Sequence, residues 1–158
     1  MSELSVNITN KALLDKLTAG LSNDIDKDAA IKSGLSRGGE IIKQGGLARL
    51  RISMKDPLGK TGNLERSMYV RVKKNKPGVL TGFTRGKRGG NHAHLVNDGT
   101  AMRRQKSKNR KKRYAGGSSG AARGNFFWTK TRDQDMKQAN NEVLLGIYRF
   151  VEKIKQKL

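Results

Sequence analysis

The stretch that decides the fold is MYVRVKKNKPGVLTGFT, residues 68–84. Apolar and polar side chains alternate through Met68–Lys74, which is the period of a half-buried strand. The run Asn75–Gly78 favours a turn, because proline presets the backbone angle and glycine tolerates a tight bend. Val79–Thr84 is again suited to a strand, so the stretch predicts a two-stranded antiparallel hairpin.

Helical periodicity precedes the hairpin. Asn10 suits the N-cap of a short helix, and Asn23 suits the N-cap of a long helix over Asp24–Arg51. Ser5–Ile8 is suited to a further short strand. Two pairs of adjacent glycines interrupt the long helix, each glycine at a cost of about 1 kcal/mol relative to alanine. Either the helix kinks or a neighbour packs close to its backbone at these positions, which are Gly38, Gly39, Gly45 and Gly46.

A second amphipathic helix follows the hairpin. Thr131 and Gln134 fit a capping box, and apolar residues recur on one face through Thr131–Lys157. The switch from helical to alternating periodicity and back predicts a single α+β domain over residues 1–158. In this fold a small antiparallel sheet is packed by a long N-terminal helix and a C-terminal amphipathic helix. A long basic loop, rich in Gly and Ser, is predicted at about residues 101–125.

The charge of the chain is large and uneven. The 158 residues include 34 Lys and Arg against 13 Asp and Glu, a net charge of +21. Arg66–Arg132 contains 19 basic residues and one acid, Asp98, which leaves +18 in that segment. A densely anionic partner is implied, and nucleic acid is the commonest one. The alternative is a solvated surface that maintains solubility, although solubility does not require clustered charge.

The candidate contact residues lie in two loops. Residues 103–113 hold eight basic side chains in eleven and no aromatic ring on which a base would stack. The chain also lacks the motifs that read base sequence. These loops therefore predict non-specific contact with double-stranded DNA or with an acidic neighbouring protein. The predicted contact residues are Arg85, Lys87, Arg88, Arg103, Arg104, Lys106, Lys108, Arg110, Lys111, Lys112 and Arg113.

Catalytic, cofactor and metal sites are not predicted. The chain has no cysteine, which excludes thiolate ligands. Residues 59–61 resemble the end of a phosphate-binding P-loop, but Met54 stands where that motif needs glycine. His92, His94 and Asp98 are the candidate metal ligands, and no second carboxylate lies near them in sequence. No nucleophile with an adjacent base is recognisable, so the chain is predicted not to be an enzyme.

The beginning of the sequence lacks a basic segment followed by an apolar one, which a signal peptide would have. No apolar run approaches the length of a transmembrane helix. We therefore expect a soluble protein that is made in a cytoplasm and does not contact a membrane.

Three motifs follow one another in the second half of the chain. Thr61–Met68 (TGNLERSM) resembles a Thr-Gly-(Asn/Arg)-Leu-x-x-Ser-hydrophobic segment that enters a strand. His92–Thr100 (HAHLVNDGT) is similar to a segment that ends in Gly-Thr, with Asn97 and Asp98 in place of its usual glutamate. Asn125–Trp128 (NFFW) resembles an aromatic segment before a C-terminal helix. In this order the motifs resemble the small neck and tail-completion proteins of long-tailed double-stranded DNA phages.

The resemblance implies a structural virion protein at the head–tail junction, in a tail-completion or tail-terminator position. Subunits of such proteins form a closed homo-oligomeric ring, here a hexamer to match the tail, through which DNA passes. Its partners would be further copies of the chain, neighbouring neck and tail-tube proteins, and DNA, and the virion would be assembled in the bacterial cytoplasm. The alternatives are a cellular basic protein that binds nucleic acid non-specifically and, third, a metal-dependent nuclease.

The motif residues also have a structural interpretation. Thr61 is suited to cap a turn, Gly62 to allow a tight bend, Leu64 to fill the core, and Ser67 to close the turn. Gly99-Thr100 would end a buried segment with a backbone bend. All of these predicted roles are structural rather than catalytic.

Overall fold

The computed structural model describes residues 3–8, 10–21, 23–54, 62–86, 89–101 and 121–156. Over these ranges the secondary-structure elements follow one another as β1 (Leu4–Asn7), α1 (Lys11–Thr18), α2 (Asp24–Ser53), α3 (Asn63–Arg66), β2 (Met68–Val72), β3 (Gly78–Phe83), α4 (Ala93–Asp98) and α5 (Phe127–Lys155). The predicted α+β fold is confirmed.

The strands form one antiparallel sheet in the order β1-β3-β2. The predicted hairpin is confirmed, and its turn is closed by the Lys73 N–H, which donates to the Gly78 carbonyl at 2.8 Å. Val79 and Thr81 of β3 are fully buried. The Thr81 hydroxyl donates to the Gly39 carbonyl at 3.4 Å, so this face of the sheet packs against α2.

Local caps begin the first two helices as the sequence predicts. The Asn10 side-chain oxygen accepts from the Leu13 N–H at 3.1 Å, and the Asn23 oxygen accepts from the Ile25 N–H at 2.9 Å. Each asparagine satisfies a backbone donor that the helix itself leaves unpaired.

The glycines of α2 lie where its neighbours approach the backbone. A Cβ atom on Gly34 would lie 2.6 Å from Ile147 Cγ1 of α5, and one on Gly39 would lie 2.8 Å from Val79 Cγ2 of β3. The helix runs unbroken through Asp24–Ser53. Of the two explanations for glycine in this helix, close packing is therefore the one that the structure supports.

The start of α5 differs from the prediction. The helix begins at Phe127, five residues before the first helical position that a Thr131 N-cap implies, and Thr131 is fully buried with its hydroxyl donating to the Phe127 carbonyl at 2.8 Å. Gln134 accepts from Arg49 Nη2 at 2.8 Å. Asp135 accepts from Arg49 at 2.5 and 2.8 Å, and this hydrogen bonding raises the pKa of Arg49. The predicted capping box is wrong, because Thr131 lies within the helix and not at its N-terminus. Gln134 and Asp135 instead join α5 to α2 through Arg49.

Candidate functional site

Only part of the predicted contact surface lies within the described residues. Arg85 is exposed just after β3, where it lines a shallow pocket with Glu3 and His94. The other predicted contact residues lie outside the described ranges, namely Lys87, Arg88, Arg103, Arg104, Lys106, Lys108, Arg110, Lys111, Lys112 and Arg113.

The chain segments on either side of the basic run are joined to each other. The Thr100 N–H donates to the Ala122 carbonyl at 2.8 Å, and the Ala122 N–H donates to the Thr100 hydroxyl at 3.0 Å. Gly99 and Arg123 form an isolated antiparallel bridge. We call residues 99–100 and 122–124 the loop clasp. The clasp therefore brings the described residues that precede and follow the basic run together at one place.

Glycine is required in the loop clasp for two reasons. Gly99 has φ +81° and ψ −170°, a backbone region that is essentially restricted to glycine. A Cβ atom on Gly99 would also lie 2.6 Å from the Gly124 nitrogen and would meet the Ala122 carbonyl. The backbone bends at Gly99, and the bend brings two backbone segments into contact.

Replacing Gly99 by alanine is expected to lower the free energy of unfolding by about 2–3 kcal/mol, because strain and overlap add. Gly86→Ala is the matched control, since Gly86 also has a positive φ, +91°, but nothing lies within 4 Å of its added Cβ. The control should lose only about 1 kcal/mol. Chemical denaturation measures both values, and equal losses would show that the close approach within the clasp contributes nothing.

The N-cap of α5 comes from α4. Asn97 is 3% exposed, and its side-chain oxygen accepts from the backbone N–H groups of Trp128 at 2.9 Å and Thr129 at 3.2 Å. Its amide nitrogen donates to the Thr129 hydroxyl at 3.1 Å. The Phe126 N–H donates to the Asn97 carbonyl at 3.0 Å. Asn97 thus fixes the start of α5 beside the loop clasp.

The first motif joins α3 to the hairpin. Gly62 has φ +67°, as its predicted bend requires, and Leu64 packs against the core although it is only partly buried. Ser67 is buried, its hydroxyl donates to the Leu64 carbonyl at 2.7 Å, and its carbonyl accepts from the Thr84 N–H at 2.7 Å. Gly62 and Ser67 therefore both shape the turn that leads into β2. Thr61 lies outside the described residues.

The aromatic motif anchors the clasp to the core. Phe127 and Trp128 are buried, and their ring centroids lie 5.9 and 5.0 Å from that of Phe83 in β3. Phe126, by contrast, has φ +55° and an exposed ring. The motif therefore fixes the direction in which the chain enters α5.

His92 and His94 are both exposed, one in the 3-10 turn Gly90–His92 and one in α4. Within the described ranges no three His, Asp or Glu side chains are grouped so that they could hold a metal ion. None of the helices in those ranges has the length and apolar character needed to cross a membrane.

Comparison of the chain with protein-family profiles, with curated proteins and with solved structures gives no match. Its function is therefore inferred from the residues and their placement.

Proposed function

We propose that the chain is a structural protein of a tailed-phage neck, one subunit of a ring at the head–tail junction through which double-stranded DNA passes. The observation that supports this proposal most is the loop clasp. Its residues Gly99 and Thr100 belong to one of the three motifs that carry the resemblance, and the segment between its two sides is the most basic in the chain.

The functional roles that we assign to the motifs are structural. Gly62 and Gly99 provide backbone bends, Ser67 closes a turn, and Asn97 caps a helix. The glycines have no side chain for chemistry, and the Ser67 and Asn97 side chains are already bonded to the backbone, so we propose a protein without catalytic activity or cofactor. In this proposal the chain is a scaffold that carries positive charge, and it is not an enzyme that reacts with DNA.

In a ring, every subunit would contribute one basic loop. A heterologous interface repeated around an axis closes without open ends, so the positive charge is distributed around the channel. Contacts to phosphates carry no sequence information and suit DNA that has to pass through. A cellular nucleic-acid-binding protein would instead act as a monomer or dimer on free DNA.

The test combines electron microscopy with DNA binding. The purified protein, alone and with tail tubes, is expected to form rings that join to the tubes. A variant with Arg110, Lys111, Lys112 and Arg113 replaced by Ser should keep the ring. Its log affinity for duplex DNA should depend less steeply on log salt, by about 0.9 for each phosphate that the variant no longer neutralises.

A control variant removes the same charge from four exposed helical lysines, Lys11, Lys16, Lys137 and Lys153. It should retain most of the wild-type salt dependence. Absence of rings at micromolar concentration, together with salt-sensitive binding of free DNA, would contradict the neck proposal and favour the cellular DNA-binding protein.

A further inference from the structure

The sheet has a second face, which lies opposite the helices. Successive side chains in a strand point to opposite faces. Val79 and Thr81 of β3 are buried against the helices. In the register of the hairpin, Tyr69, Arg71 and Lys73 on the β2 side alternate with the residues that pair with these two, so they lie on the other face. We call the part of this second face that lies beside the hairpin turn the outer sheet face. A concave surface there is lined by Arg71, Lys73, Lys74, Lys76 and Leu80, among others.

The outer sheet face carries concentrated positive charge. Arg71, Lys73, Lys74 and Lys76 lie within six residues, and the sequence from Arg66 to Asn97 contains no acid. None of these four cations takes part in an ion pair among the described residues. Arg71, Lys74 and Lys76 are exposed. The folded hairpin therefore presents uncompensated charge to solvent.

The neighbouring polar groups do not neutralise that charge. Lys73 Nζ donates to the Asn7 side-chain oxygen at 2.8 Å, which is a neutral partner. Asp28 borders the groove on the α2 side of the hairpin, but its carboxylate is paired with Lys32 at 2.5 Å. The Glu3 carboxylate accepts a hydrogen bond from the neutral Tyr69 hydroxyl and keeps its charge, so it offsets one positive charge and leaves the cations in excess.

We propose that the outer sheet face binds the phosphate backbone of duplex DNA. Charge complementarity supports this partner, because duplex DNA carries a regular array of negative charge, one for about every 1.7 Å of helix axis. The turn is held by the Lys73–Gly78 hydrogen bond and by the Ile8 N–H, which donates to the Pro77 carbonyl at 3.3 Å. The spacing of the cations is thereby set before DNA binds.

The environment of Tyr69 favours duplex over single-stranded DNA. Proteins that hold single strands usually stack bases on free aromatic rings. The Arg71 guanidinium lies 5.8 Å from the centroid of the Tyr69 ring, and the Tyr69 hydroxyl is bonded to Glu3. Partial burial, and then this hydrogen bond, raise the pKa of Tyr69, so it remains a neutral donor at physiological pH. A ring held in this way is poorly placed to stack on a base.

This surface is distinct from the loop predicted from residues 103–113, and it does not depend on a place in a phage neck. It adds a preformed site on the sheet to the charge carried by the loop. Contacts of this kind position DNA without reading its sequence.

The test is to replace Arg71, Lys74 and Lys76 together by Ser in the full-length chain. Lys73 is retained because it holds Asn7. The affinity for a duplex oligonucleotide is measured by fluorescence anisotropy over a range of salt concentrations. The slope of log affinity against log salt should become shallower by about 2.7, which corresponds to three phosphate contacts. An unchanged thermal midpoint should show that these exposed replacements leave the fold intact.

The control variant replaces the exposed Lys11, Lys16 and Lys137 by Ser and removes the same charge. An equal change of slope in this control would mean that only net charge matters and would overturn the proposal. An unchanged slope in the variant with Arg71, Lys74 and Lys76 replaced, the hairpin variant, would also overturn the proposal. Equal affinity of the wild-type protein for poly-glutamate and duplex DNA would identify an acidic protein as the partner instead. Microscopy of the hairpin variant tests ring formation separately, so failure here leaves the neck proposal standing.

Discussion

Replacing Gly34 by alanine is expected to lower the free energy of unfolding by about 2–3 kcal/mol, although alanine favours a helix by about 1 kcal/mol. The new methyl group would meet the Val143 carbonyl and would lie 2.6 Å from Ile147 Cγ1. Gly146 faces Gly34 from α5, and a Cβ atom there would lie 2.8 Å from the Gly34 Cα. Because backbone lies on both sides of this contact, α2 and α5 have to separate to admit one carbon.

Gly45→Ala in the same helix is the matched control. It gains the same helix propensity, but its added Cβ would meet the carboxylate of Asp135, which is the end of a flexible side chain. The Arg49 and Asp135 side chains are only 24% and 13% exposed, so weakening their ion pair costs about 1.5–2 kcal/mol, the net worth of one charge-assisted hydrogen bond. The gain in helix propensity offsets part of this cost, and we expect a net loss of no more than about 1 kcal/mol for the control. If chemical denaturation gives the same result for both variants, the close approach at Gly34 does not limit helix packing.

The sequence predicts well those elements whose signals are local. The hairpin depends on an alternation within Met68–Lys74 and a turn at Asn75–Gly78, and Asn10 and Asn23 are followed directly by the helices that they cap. The small sheet packed by a long N-terminal helix and a C-terminal helix follows from the same periodicity. These features require no knowledge of which segments meet in space.

The features that sequence patterns did not predict are made by residues far apart in the chain. Thr131 and Gln134 have the spacing of a cap, yet Asn97, some thirty residues earlier, supplies the cap of α5. The glycines of α2 are explained only when α5 and β3 are in place. A pattern along one segment contains no information about such partners.

The same limit applies to the candidate site. The run 103–113 stands out in the sequence because its basic residues are consecutive, whereas the cations of Arg71–Lys76 are interleaved with the strand pattern. Only the pairing of β2 with β3 shows that several of them share one face of the sheet. The importance of Gly99 is partly visible in sequence as Gly-Thr, but its close approach to Gly124 is not.

Replacing Asn97 by leucine is expected to lower the free energy of unfolding by about 3 kcal/mol or more. Leucine is close to asparagine in volume, but its side chain has no polar atoms. The backbone N–H groups of Trp128 and Thr129 therefore lose their acceptor. Losing a helix cap costs about 1 kcal/mol, and each buried donor left unpaired costs about 1–3 kcal/mol. The amide protons of Trp128 and Thr129 should also exchange with solvent faster than in the wild-type protein.

Two further variants separate the cap from a general effect of the replacement. Asn97→Asp keeps an acceptor at the N-terminus of α5, where negative charge is favourable, but it loses the donor to Thr129 and places a second carboxylate beside Asp98. It should therefore retain more than half of the stability that Asn97→Leu removes. Asn140→Leu, at an exposed position within α5, should change stability by no more than about 0.5 kcal/mol. If Asn97→Leu were as mild as Asn140→Leu, or if Asn97→Asp were as damaging as Asn97→Leu, α5 would not depend on the acceptor that the Asn97 side chain provides. The Gly-Thr motif and the aromatic motif would then be joined by the backbone hydrogen bond from Phe126 to Asn97 and by packing of Phe127 and Trp128.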